Sequence, residues 1–132
     1  MNPLEPLVER VCRTEHGFKD IVAAADELFA EQSAEQCFQI SVTLIRHEKR
    51  QPRCLAAFLL GRLAATSPMS LDILRTRVSK DADWRVQEIL AKAFDRYCAD
   101  VGYENALPVI DDWLSDPSPK VRRAVTEGLR IW

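Results

Sequence analysis

The sequence predicts an all-α protein, an α-solenoid of about eight helices arranged in antiparallel pairs. Three observations predict it. Nearly every segment repeats its apolar residues at the 3.6-residue helical period, and no stretch alternates at period two over a strand's length between turn residues. The connections between these segments are short, which sets consecutive helices antiparallel. One apolar ladder also recurs along the chain at the spacing of stacked two-helix units.

The elements follow in order. A first helix is expected over roughly Leu4 to Arg13, stopping near Gly17, and a second from Phe18 to Glu31 with Ile21, Val22, Ala25, Leu28 and Phe29 on one stripe. Ser33 opens the third; Gln36 three residues on fits a capping box, and Cys37, Ile40, Leu44 and Ile45 make the buried face. Pro52 is placed to begin the fourth, because its missing N–H is harmless in a first turn, and Leu55, Phe58, Leu59 and Leu63 form its core stripe. Ser70 is expected to cap a short fifth helix. Asp83 caps the sixth, Trp84 to Cys98, whose chain turns at Gly102. The seventh runs from about Asn105 to Leu114, and Ser118 followed by Pro119 opens the eighth.

The ladder ties these helices into repeats. Val86, Ile89, Leu90, Ala93, Phe94 and Tyr97 map, 35 residues on, to Val121, Ala124, Val125, Gly128, Leu129 and Trp132. Moving back 31 residues, Leu55, Phe58, Leu59 and Leu63 fall on Val86, Ile89, Leu90 and Phe94. Three rungs in one register describe a stacked, curved array, whereas a plain four-helix bundle requires no such match and stands second. Phe94, Tyr97 and Trp113 sit at packing positions, and Gly61 and Gly128 permit close helix contact.

Composition sets the outer bounds. The 132 residues fit a single domain, 1–132, that buries roughly 65–70% of its unfolded surface without a disulfide or metal staple. Hydrophobic residues at 47% and charged residues at 29% are ordinary for a globular chain. The longest apolar run, Leu55 to Leu60, is far short of the roughly 20 residues a membrane helix needs, so no membrane role is expected. The acidic start MNPLEPLVERV lacks the pattern of a secretory signal, and a cytoplasmic protein is expected. Cys12, Cys37, Cys54 and Cys98 share no metal-ligand spacing and read as reduced thiols; His16 and His47 are isolated, and no metal or cofactor is expected. Net charge is −2, split between a balance of −5 over residues 1–36 and +3 over residues 37–132, so a local positive patch is compatible with phosphate binding.

Two charged residues stand out on the face opposite the ladder. Glu88 and Arg123 are 35 residues apart, at equivalent positions of adjacent repeats, so stacking brings them to one surface; Trp84, four residues before Glu88, flanks the carboxylate. Spacing alone leaves two readings open, an inter-repeat salt bridge with a capping aromatic or a shared ligand site.

The stretches DADWRVQEILAKAFDRYC and GYENALPVIDDWLSDPSPKVRRAVTEGLRIW resemble the core of the DNA alkylation repair family, the AlkD and AlkC type glycosylases. The resemblance is clear over about residues 81–132 and looser in the upstream ELF and LAAFLLGRL segments. It implies a HEAT-repeat solenoid with alkylated DNA on its concave face and removal of purines alkylated at N3 or N7, with no cofactor. It further implies Glu88 as the acid, in a place where the AlkD branch has Asp, Trp84 as the aromatic and Arg123 as the phosphate anchor, with Lys120, Arg122 and Arg85 as further DNA-backbone contacts. The family continues through later repeats that carry another active-site aromatic, which no position here matches. The chain is accordingly expected to correspond to the N-terminal part of a longer family fold, with its last helix, ending at Trp132, as a surface for self-association or a partner. The alternative function is a non-catalytic HEAT scaffold binding protein or nucleic acid through its concave face.

Overall fold

The computed structural model describes residues 4–129. Among the described residues eight α-helices follow one another: α1 (Glu5–Cys12), α2 (Lys19–Glu31), α3 (Ala34–Leu44), α4 (Arg50–Leu63), α5 (Pro68–Thr76), α6 (Trp84–Val101), α7 (Tyr103–Leu114) and α8 (Pro119–Leu129), with a 3₁₀ turn at Val78–Lys80 before α6. No strand occurs among the described residues. The even-numbered helices stack α2 on α4 on α6 on α8 as an inner row, while α3 and α7 pack on their even-numbered partners from outside and α5 lies against α4. The fold is the α-solenoid expected from the ladder.

The sequence explains which helix sits centrally. α4 buries Pro52, Cys54, Leu55, Ala56, Ala57, Leu59, Leu60, Gly61 and Leu63, so it is apolar nearly all round and belongs inside. The α6 rungs Val86, Ile89, Leu90, Ala93, Phe94 and Tyr97 are buried, as are Val121, Ala124, Val125 and Gly128 of α8; the rung expected at Trp132 lies outside the described residues. Phe94 meets Trp113 of α7 with ring centroids 4.4 Å apart, which knits the last pair to the core. The small residues set the spacing of the inner row. A Cβ on Gly61 would stand 2.8 Å from Ala93 Cβ, and one on Gly128 would stand 2.7 Å from the Ala91 carbonyl oxygen.

Several local expectations are corrected. The fifth helix is capped by Ser67, whose hydroxyl accepts the Ser70 N–H, with Pro68 in the first turn; Ser70 is buried and donates its own hydroxyl to Ser67 Oγ at 2.9 Å. α4 starts two residues before Pro52, which still falls in the first turn where no N–H is needed. α6 continues to Val101, and Gly102, at φ +88°, turns the chain directly into α7 at Tyr103. In α2 the buried stripe is Ile21, Ala24 and Ala25, while Phe29 is 41% exposed. Phe58 leaves the core stripe to pack edge-on against Phe18, 5.7 Å away.

Candidate functional site: the α6–α8 cleft

The N-terminus of α6 carries the first two site residues. Asp83 accepts the Arg85 N–H at 2.9 Å as N-cap and takes the Arg85 guanidinium through Nε and Nη2, both at 3.0 Å. That bonding holds the Asp83 carboxyl below the usual carboxylate range, the guanidinium contact being the largest cause. With its cap fixed, the helix presents Trp84 outward, 67% exposed, and the Arg85 guanidinium carbon lies 5.7 Å from the indole centroid. Glu88, one turn on, is exposed and forms no hydrogen bond or ion pair among the described residues.

The facing wall is α8. Lys120 lies in its first turn, and Arg123 follows with a side chain 78% exposed. The acid nearest Arg123 is Glu127 on the same helix, Nε to Oε1 3.8 Å, a loose pair rather than a hydrogen bond. Between the helices runs a cleft of about 360 Å³ with Leu90, Ala91 and Ala124 as apolar floor and Trp84, Glu88, Lys120 and Arg123 among its walls. Such a volume lies within the range of about 300–1,000 Å³ typical of small-ligand sites. An inter-repeat Glu88–Arg123 salt bridge is absent. The two charges line one cavity without meeting, and with Lys120 and Glu127 they balance to no net charge.

The remaining expected DNA contacts divide. Lys120 faces the cleft, whereas Arg85 is committed to Asp83, and Arg122 donates through Nη1 to the Asp116 and Pro117 carbonyls at 2.6 and 3.0 Å, closing the turn before α8. Two cleft residues escaped the sequence reading. Gln87 reaches back to the Asp81 carbonyl at 2.5 Å, and Glu127 stands one turn from Arg123, a neighbour that i,i+4 spacing alone would have flagged. Among the described residues no group of three metal-ligating side chains occurs, and no helix is long and apolar enough to cross a membrane.

Residues 39–130 match the family model described as HEAT repeats. The chain belongs to the HEAT-repeat family. The matched region runs from within α3 through α4, α5, α6, α7 and α8. Among solved structures, AlkD2 from Streptococcus mutans is 40% identical with a TM-score of 0.92, over 98% of this chain and 62% of that one. The structure of smu.31 from Streptococcus mutans UA159 is 40% identical with a TM-score of 0.83, over 87% of this chain and 57% of that one. This HEAT protein thus has an AlkD-like fold and spans roughly three fifths of the length of these relatives. No curated protein matches it.

Proposed function

We propose that this HEAT protein works in DNA alkylation repair, with the α6–α8 cleft receiving a purine nucleotide alkylated at N3 or N7 and Glu88 assisting loss of the base. The observation that carries the reading is the solvent-facing, unpaired Glu88 carboxylate one turn from the exposed Trp84 indole, with Arg123 across the cleft.

The chemistry suits these groups. An alkylated purine of this kind is cationic, so its glycosidic bond breaks with the electron pair passing to the base nitrogen, which leaves neutral, while the sugar gains oxocarbenium character. A carboxylate beside that sugar stabilises the developing charge and orients a water toward C1′; the proton released passes to Glu88 or solvent. The Trp84 ring, mostly exposed even with Arg85 near it, meets the base or the sugar through its π-face. Arg123 and Lys120 hold flanking phosphates, for which the 3.8 Å contact to Glu127 is weak competition. The unpaired thiols agree with a reducing, cytoplasmic setting.

A second reading, a non-catalytic HEAT scaffold, is favoured by one observation: the cleft walls carry no net positive charge, since Glu88 and Glu127 offset Lys120 and Arg123. Release of 7-methylguanine and 3-methyladenine from alkylated duplex DNA at large protein excess separates the two. Time-dependent release supports the enzyme, and free base at the spontaneous rate leaves the scaffold.

A further inference from the structure

A second concave site lies on the edge of the solenoid where the α3–α4 loop meets the connection from α5 to α6. It encloses about 580 Å³. Its floor is fastened by Arg53, which donates through Nε and Nη2 to the Asp81 carboxylate at 3.0 and 3.3 Å and through Nη1 to the His47 and Glu48 carbonyls at 3.0 and 2.8 Å. Both members of that ion pair are largely buried, with side chains 16% and 9% exposed, so Asp81 is neutralised and the two loops are locked together.

Three cations remain at the rim. Arg46 and Arg77 are exposed and have no carboxylate partner among the described residues. Lys80, also exposed, has Asp116 as an electrostatic neighbour, but Asp116 is already bonded by Arg75 Nε at 2.7 Å and by the Ser118 N–H at 2.8 Å. Glu48 is the only uncommitted acid in the lining. His47 accepts the Lys49 N–H at Nδ1, which leaves its Nε2 side as a donor. The corner therefore carries net positive charge and an excess of N–H donors, unlike the balanced α6–α8 cleft.

We infer that this corner is a second contact for the sugar–phosphate backbone of DNA, one repeat before the α6–α8 cleft. The inference rests on the DNA reading proposed above and extends the track of the strand. Two features favour a polynucleotide over a lone phosphate. The cations come from two loops some 30 residues apart around an open hollow, which one phosphate cannot fill, whereas the phosphates of a strand recur about every 3.4 Å along the helix axis. The two cavities are also contiguous along the chain: Ala82 lines the corner, Trp84 lines the cleft, and the Gln87 side chain in the cleft bonds the carbonyl of corner residue Asp81.

The test is the salt dependence of binding to a fluorescent unmodified DNA duplex, measured by anisotropy for the wild type and for Arg46→Gln/Arg77→Gln. These substitutions keep the aliphatic stems and touch no internal ion pair. The variant should bind more weakly at low salt, with a log–log slope shallower by about 1.8, since each lost phosphate contact removes about 0.9. Its helical circular dichroism and melting should be unchanged. Wild-type binding with the same slope in the double variant overturns the corner and leaves the cleft reading standing. Poly-glutamate binding lost in the variant, with DNA binding intact, overturns it in favour of an acidic protein partner. Absence of salt-dependent DNA binding by the wild type overturns both readings, whereas binding without base release removes only the glycosylase step.

Discussion

Replacing Gly61 with alanine asks whether helix propensity or the spacing of the inner row governs this solenoid. In an exposed helix the change stabilises by about 0.8–1.0 kcal/mol, because alanine loses less backbone freedom on folding. Here the new Cβ would stand 2.8 Å from Ala93 Cβ and 2.9 Å from Ala93 Cα. Unstrained carbon contacts lie at about 3.5–4.0 Å, so α4 and α6 must part by about 0.7 Å or more. Neither obstructing atom is on a flexible side chain, so no rotamer change relieves the clash. Overpacking of this sort costs about 1–3 kcal/mol and offsets or exceeds the propensity gain, leaving a net loss of up to about 2 kcal/mol. For a chain of this size that lowers Tm by up to about 10 °C. Urea and thermal unfolding followed by far-UV circular dichroism measure it, and pairing the change with Ala93→Gly should recover more stability than the two single effects add up to. A Gly61→Ala variant that melts higher than the wild type would refute the close-approach argument.

Two other outcomes follow from the ionisable groups. Asp83 is held below the usual carboxylate range chiefly by Arg85, and Asp116 by the Ser118 N–H and then Arg75, so each contributes stability that is complete above the unfolded Asp value of about 3.9 and is lost as pH falls through the lower folded values. Urea midpoints taken downward from neutral pH should drop most steeply below about pH 4, and Asp83→Asn, which keeps a capping side chain, should make that drop shallower; an unaltered profile contradicts the pairing. Burial pushes the Cys54 and Cys98 thiols up to about 11, and both are fully buried, while Cys12 is partly exposed. A thiol reagent at neutral pH should label Cys12 first in the native protein, and labelling of Cys54 at the same rate would contradict the packing.

The fold was legible because its evidence is repetitive. Val86, Ile89 and Leu90 and their partners 35 residues on are buried as the ladder requires, and Ser33 with Gln36 forms the expected capping box. What sequence alone missed depended on competition between neighbours. Ser67 and Ser70 are both competent caps, and only the position of Pro68 in the first turn decides between them. Phe29 keeps helical phase with the core yet stays exposed, the buried stripe of α2 being Ile21, Ala24 and Ala25. The cleft was half legible: equivalent repeat positions brought Glu88, Trp84 and Arg123 to one cavity, but the commitments of Arg85 to Asp83 and of Arg122 to two loop carbonyls are matters of local geometry that spacing does not encode. The corner at Arg46 and Arg77 left no sequence signal, because it depends on Arg53 neutralising Asp81 across 28 residues.

The most direct measurement of the central claim is a paired one on Glu88→Gln: single-turnover release of alkylated purine from duplex DNA, and equilibrium affinity for the same duplex. A carboxylate that acts on the developing sugar cation should, when made neutral, slow release by about 10²-fold or more, in the range of a lost charge-stabilising group, with affinity unchanged or slightly raised. Release at the wild-type rate, or a fall in rate matched by an equal fall in affinity, would contradict a catalytic Glu88.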